Sequence, residues 1–262
     1  MELQSIIVLL RTVANYLVSN HGWRDAYLII GILFFVIMAV SSFVVKVDPV
    51  ETDTLSDGSR AVLNQLSIQR RPTRDVLMNS SFFVITICHC IAIAAFQIIA
   101  AHLVPYATDI GISSTASAAA IGLMGGFSIP GRIISGHLSE KIQWKTILVF
   151  SYLGMGLFML LLLFLWETWM LYCFVLFYGF FHGSRVSSYL GILGDFFGMS
   201  SLGELIGITM AAGIFTGAFT PYLAGFLFDI TGSYLIVFMI MIVFLLGGGI
   251  VASLITKPDT PE

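Results

Sequence analysis

Residues 146–166 read TILVFSYLGMGLFMLLLLFLW, twenty-one positions without a charge. A helix of about 20 apolar residues is what a bilayer core requires. Within it, 157–165 (LFMLLLLFL) is apolar on every face. A membrane β-barrel strand alternates apolar and polar positions, so this run excludes a barrel and fixes an α-helical membrane span.

The same pattern recurs outward in both directions. Uncharged stretches cover 26–45, 76–108, 110–131, 205–228 and 230–256, and a further stretch, 168–195, is interrupted by Arg185 and closed by Asp195. Seven complete spans are expected, with an eighth, short one at 3–19 broken by Arg11. The whole chain of 262 residues agrees: 58% are hydrophobic and 10% charged. A soluble domain carries roughly 25% charged residues, so the chain cannot coat a soluble fold. The fold class expected is therefore an all-α, multi-pass membrane protein, with the lipid bilayer as solvent.

Net charge is −3, which offers no basic footprint for nucleic acid. Cys88, Cys90 and Cys173 lie in apolar runs and are too few for a disulfide framework. Neighbouring residues on a helix diverge by about 100°, so Cys88-His89-Cys90 is not read as a metal site. Residue 2 is acidic and no basic n-region precedes the first apolar segment, unlike a signal peptide. The beginning of the chain is instead expected to fall inside a longer protein.

Lysines and arginines set the orientation. Lys46, Arg60, Arg70, Arg71 and Arg74 share one long loop, and Lys141, Lys145 and Lys257 fall on the same side by alternation. Arg24 alone is opposite, while Arg11, Arg132 and Arg185 lie within spans. The 47–79 loop and the C-terminus are thus expected to be cytoplasmic. Residues 60–70 fit either a surface amphipathic helix or a solvated linker.

Three turns carry a resemblance. Gly22-Trp23-Arg24-Asp25-Ala26-Tyr27 opens a span, Gly131-Arg132-Ile133-Ile134-Ser135-Gly136-His137-Leu138-Ser139-Glu140-Lys141 links two, and Phe228-Asp229-Ile230-Thr231-Gly232-Ser233-Tyr234 links the last two. With the long basic loop between them, they resemble the turn before helix six, the signature loop between helices eight and nine, the turn between helices eleven and twelve, and the central loop of major facilitator superfamily transporters. The run from His102-Leu103-Val104-Pro105-Tyr106-Ala107 through Asp109, Gly111, Ile112 and Ser113 resembles members related to monocarboxylate transporters and oxalate:formate exchangers.

The resemblance implies a twelve-helix protein in two six-helix halves. It divides this chain into 1–46, a remnant of the N-terminal bundle; 47–79, the central cytoplasmic loop; 80–257, the intact C-terminal six-helix bundle; and 258–262, a tail. It also implies alternating access, in which two bundles rock about a site near the midplane. The expected function is secondary transport of a small solute, such as an organic anion, coupled to protons or to a counter-substrate, across the plasma or inner cell membrane. No cofactor is expected.

Charged residues inside spans need a reason. An arginine at the bilayer centre costs about 2.5–3.5 kcal/mol on insertion scales. Arg185 lies in the interior of its span and Arg132 near the cytoplasmic end of another, with no acid inside a span to pair with both. One reading gives them an anionic substrate, since the planar guanidinium pairs bidentately with a carboxylate. The other gives Arg185 a structural ion pair with the other half of the protein, and Arg132 a gating, packing or snorkelling role. His182, three residues before Arg185, shares its helix face, as a protonatable gate or a packing histidine. His89 and Gln97, eight apart, share a face and are candidates to line the pathway; His102 lies on the same helix. Gly131, Arg132, Gly136, Ser139, Glu140 and Lys141 form the signature loop.

Glycines spaced four apart (Gly122/Gly126, Gly179/Gly183, Gly203/Gly207, Gly213/Gly217) read mainly as ordinary helix packing. Pro105, Pro130 and Pro221 permit bends. Gly247-Gly248-Gly249 in an apolar helix is not a dinucleotide fingerprint. No HExxH, GxSxG, Walker loop or paired intramembrane carboxylates occur, which argues against an enzyme and against ATP-driven transport. A non-transporting receptor or scaffold of the same fold is the alternative.

Overall fold

The computed structural model describes residues 22, 24–33, 35–37, 39–41, 76–199 and 201–258. The expected short span at 3–19 and the 47–75 part of the central loop lie outside the described residues. The chain divides into two units, 1–63 and 64–262. In the first, helix α1 (Arg24–Ser41) is long and apolar enough to cross a membrane.

The second unit is a bundle of six helices: α2 (Ser80–Asp109), α3 (Ser114–Leu138), α4 (Trp144–Met159), α5 (Thr168–Phe197), α6 (Leu202–Thr231) and α7 (Leu235–Ser253). A 3-10 turn, Leu160–Phe164, extends α4. No strand occurs among the described residues. Side-chain caps open two helices: the Asn79 side chain accepts from Ser81 N at 2.9 Å, and Ser113 Oγ accepts from Ala116 N at 3.3 Å. Each satisfies one of the donors that a helix start leaves unpaired. Gly232 closes α6 in the left-handed region (φ 67°), with its N–H on the Phe228 carbonyl at 2.7 Å, a position glycine occupies without strain. That glycine is what makes the turn into Tyr234 and α7 so short.

Six helices among the described residues are long and apolar enough to span, where seven complete spans were expected. The missing one is α5. It has 30 residues, about 45 Å, which is ample. Its composition falls short because His182, Ser184, Arg185, Ser187 and Ser188 sit at and just past its midpoint. Burial explains how the bundle carries such a helix. α5 packs on α3 and α4, and Phe174, Tyr178, His182, Arg185, Tyr189 and Ile192 are all buried. A helix enclosed by other helices need not be apolar all round.

Two seams hold α5. On the α3 side, a Cβ added to Gly131 would run into the Phe180 carbonyl, one on Gly179 into that of Met124, and one on Gly183 into that of Ser128. Backbone therefore meets backbone, the close approach that small residues allow. α4 lies on the other flank and packs in turn on α7, while α2 pairs with α6. Pro105, Pro130 and Pro221 fall inside α2, α3 and α6. Each lacks an N–H and leaves a carbonyl one turn earlier without its helical partner.

Candidate functional site

α5 turns one face toward α2. His182, Arg185, Val186 and Tyr189 follow at helical spacing, and so do His89, Ile93, Phe96 and Gln97 on α2. Between them is a cavity of about 500 Å³, closed on further sides by Arg132 of α3 and by Met210, Ile214 and Gly217 of α6. The structure thus brings Arg185, Arg132, His182, Gln97 and His89 to one cavity.

The α2–α5 seam is made of side chains. The His182 ring stacks on Phe96, with centroids 4.4 Å apart and planes at 18°. The His89 ring stacks on Tyr189, at 4.3 Å and 29°. Between these two layers, Arg185 Nη1 donates to His89 Nδ1 at 3.1 Å. Tyr189 Oη is bonded to Thr209 Oγ1 of α6, and Tyr152 Oη donates to the Cys88 carbonyl at 2.5 Å. Tyr152, Tyr178 and Tyr189 are electrostatic neighbours of Arg185, and so is Arg132.

Charge in the cavity has one sign. Arg185 is 1% exposed, Arg132 is exposed, and no acidic residue lines the space. Among the described residues no carboxylate pairs with either arginine; the described ion pair, Lys257 with Asp195, joins the end of α5 to the tail beyond α7. Several polar atoms at or behind the cavity are buried without partners among the described residues: Arg185 Nε, His89 Nε2, His182 Nδ1 and Tyr178 Oη. Buried polar groups in folded proteins are nearly always paired, so a cluster of unpaired ones is a departure from the rule. An anion with two oxygens has the chemistry to meet a guanidinium there.

The signature loop divides between packing and the cavity. Gly131 is the close contact with α5, and Ser187 Oγ of α5 donates to the Arg132 carbonyl at 3.5 Å. Ser135 Oγ donates to the Arg132 carbonyl at 3.0 Å and Ser139 Oγ to that of Gly136 at 2.6 Å, within α3 and its end. Glu140 and Lys141 are exposed in the turn to α4.

His102 belongs elsewhere. Its Nε2 donates to the Pro221 carbonyl at 2.9 Å and its Nδ1 accepts from Tyr234 Oη at 3.2 Å, joining α2, α6 and the α6–α7 turn. Cys88 Sγ donates to the Gly248 carbonyl at 3.7 Å, and among the described residues no group of three potential ligands can hold a metal ion. Sequence reasoning missed Phe96 and Tyr189 at the cavity and Tyr152 and Tyr178 behind it. The signal was present for two of them, since Tyr189 lies four residues after Arg185 and Tyr178 seven before it, on the same helix face.

Comparison with known proteins points to one family. The family model for the Major Facilitator Superfamily matches residues 5–183. Monocarboxylate transporter 12 of Rattus norvegicus is 25% identical over 88% of this chain and 53% of its own length. Monocarboxylate transporter 12 of Xenopus laevis is 30% identical over 53% of this chain and 31% of its own length. An uncharacterised MFS-type transporter of Bacillus subtilis (strain 168) is 25% identical over 85% of this chain and 54% of its own length. The chain spans about half the length of the curated relatives it matches. An all-α bundle of long apolar helices, matched over more than half its sequence by that family, identifies this chain as a multi-pass integral membrane protein that belongs to the Major Facilitator Superfamily.

Proposed function

We propose that this chain forms one wall of a secondary transporter for a small organic anion, a monocarboxylate, and that Arg185 holds the carboxylate. The observation that carries this reading is the buried Arg185 guanidinium, on a cavity, without a carboxylate beside it among the described residues. Arg185 lies within one turn of the midpoint of α5, where alternating-access transporters place their substrates. The names of two relatives as monocarboxylate transporters support the substrate class. Arg132, on the exposed wall, adds a second positive charge that draws anions toward the cavity.

Apolar and aromatic neighbours (Ile93, Phe96, Met210, Ile214) suit the short carbon tail of such an anion. Moving one negative charge against the membrane potential costs about 2.3 kcal/mol per 100 mV. A co-transported proton or an exchanged counter-anion removes that cost, so coupling to one of them belongs to the proposal. Such gradients stand across the plasma or inner cell membrane, which the proposal takes as the location.

The test is charge selectivity. The purified chain in lipid nanodiscs is titrated with propionate and with its neutral isostere propionamide. Binding of propionate at least about tenfold tighter, 1.4 kcal/mol, supports the anion site, and equal affinities overturn it.

A further inference from the structure

The bond between Arg185 and His89 determines more than a contact. A guanidinium carries donors and no acceptor. Because Arg185 Nη1 lies 3.1 Å from His89 Nδ1, that ring nitrogen is the acceptor and the ring proton sits on Nε2. His89 therefore meets Arg185 as a neutral acceptor.

The bond also selects which edge of the guanidinium remains. Nη1 is the terminal nitrogen on the Cδ side. The other side-on edge, formed by Nε and Nη2, is a bidentate fork for two coplanar oxygens. Arg185 makes no second side-chain hydrogen bond among the described residues, and its Nε is buried without a partner. The unpaired Nε and the occupied nitrogen are thus on opposite sides of one planar group.

His89 is itself held from two helices. Its ring stacks on Tyr189 of α5, whose hydroxyl is anchored to Thr209 of α6. Its Nε2 edge fits where α6 has no side chain: a Cβ added to Gly213 would lie 2.8 Å from Nε2 and 2.9 Å from Cδ2. Gly207, six residues earlier on the same helix, would meet nothing within 4 Å. Gly213 is therefore the position on α6 that makes room for the imidazole.

We infer that His89 is a positioning residue for the anion site. It takes Nη1 as a neutral acceptor, fixes the plane of the guanidinium, and leaves the Nε–Nη2 edge to grip a carboxylate side-on; Gly213 is the residue that admits it. This inference rests on Arg185 as the anion-binding group.

The experiment uses the full chain in nanodiscs, propionate as probe, and histidine labelled with 15N in the ring. In the wild-type chain the His89 signal is expected to be that of the neutral Nε2–H tautomer, and in Arg185→Met that preference is lost. His89→Leu is expected to weaken propionate binding about tenfold or more, as loss of a buried hydrogen bond to a charged group does. His89→Asn, whose Oδ1 stands near the place of Nδ1, keeps affinity within about threefold, less than 1 kcal/mol. Gly213→Ala behaves as His89→Leu does, and Gly207→Ala as the wild type. An Nδ1–H tautomer in the wild type overturns the inference, and that measurement requires no variant to fold. Wild-type affinity in His89→Leu alongside lost binding in Arg185→Met overturns the positioning role alone. Wild-type affinity in Arg185→Met overturns the anion site itself.

Discussion

Arg185 Nη1 lies 3.1 Å from His89 Nδ1, across a seam between two helices whose residues are 96 positions apart in sequence. The partner of this buried cation is a neutral ring where a carboxylate would be the usual choice. A buried charge without a counter-charge is costly to maintain. The arrangement is understandable if the counter-charge arrives and leaves with a ligand.

The α3–α5 seam is predicted to be intolerant of bulk. Gly183→Ala places a methyl against the Ser128 carbonyl, and neither backbone can yield without moving its helix. Overpacking of this kind costs about 1–3 kcal/mol. Gly122→Ala on the open face of α3 is the comparison, since a Cβ there meets nothing within 4 Å. Thermal unfolding in detergent should show a lower Tm for Gly183→Ala and none of that loss for Gly122→Ala. Equal melting temperatures would show that the seam is looser than described.

The Lys257–Asp195 pair is predicted to matter little for stability. The two groups are 3.1 Å apart but 57% and 51% exposed, so water screens them. Exposed pairs contribute about 0.2–1 kcal/mol and less at high salt. Lys257→Ala should shift Tm slightly at low ionic strength and hardly at all at high. A large, salt-independent loss would mean that the tail is a structural clamp.

The spans and their turns were legible because the bilayer imposes a length and a composition that charges interrupt. α5 was legible as a stretch but not as an enclosed helix. The polar residues that lower its hydropathy are tolerated through packing on α3 and α4, which is long-range information. Spacing placed His182 with Arg185, and His89 with Gln97, each pair on one face. That those two faces meet was invisible, because nothing local says α2 lies against α5. The glycine pairs make the same point. Gly179 and Gly183 sit against the backbone of α3, Gly213 and Gly217 against His89, Ile93 and Gln97, and Gly122, Gly126, Gly203 and Gly207 against nothing within 4 Å. Identical spacing thus led to three environments.

Topology gives a further prediction. By the positive-inside rule, Lys46, Arg60, Arg70, Arg71, Arg74, Lys141, Lys145 and Lys257 predict a cytoplasmic central loop and C-terminus. A reporter fused after Lys257 should be active only where a cytoplasmic location activates it. A periplasmic or extracellular signal would reverse the orientation.

Reconstituted alone, this polypeptide is predicted not to catalyse saturable uptake. The chain spans about half the length of its curated relatives, and the pathway of such transporters lies between two bundles. Liposomes containing it should bind propionate without accumulating it. Saturable, stereoselective uptake of a chiral carboxylate would contradict this, and a steep dependence on protein concentration would trace that activity to self-assembly.

Propionate affinity in nanodiscs, compared among the wild type, Arg185→Lys and Arg185→Gln, decides whether Arg185 is the anion-binding group. Lysine keeps the charge and loses the fork, so binding should weaken while the protein still folds. Glutamine removes the charge, and the loss should be about 2–5 kcal/mol, roughly 30- to several-thousand-fold in Kd. A folded Arg185→Gln chain that binds propionate as tightly as the wild type would rule out a carboxylate on Arg185 and make Arg185 a structural residue.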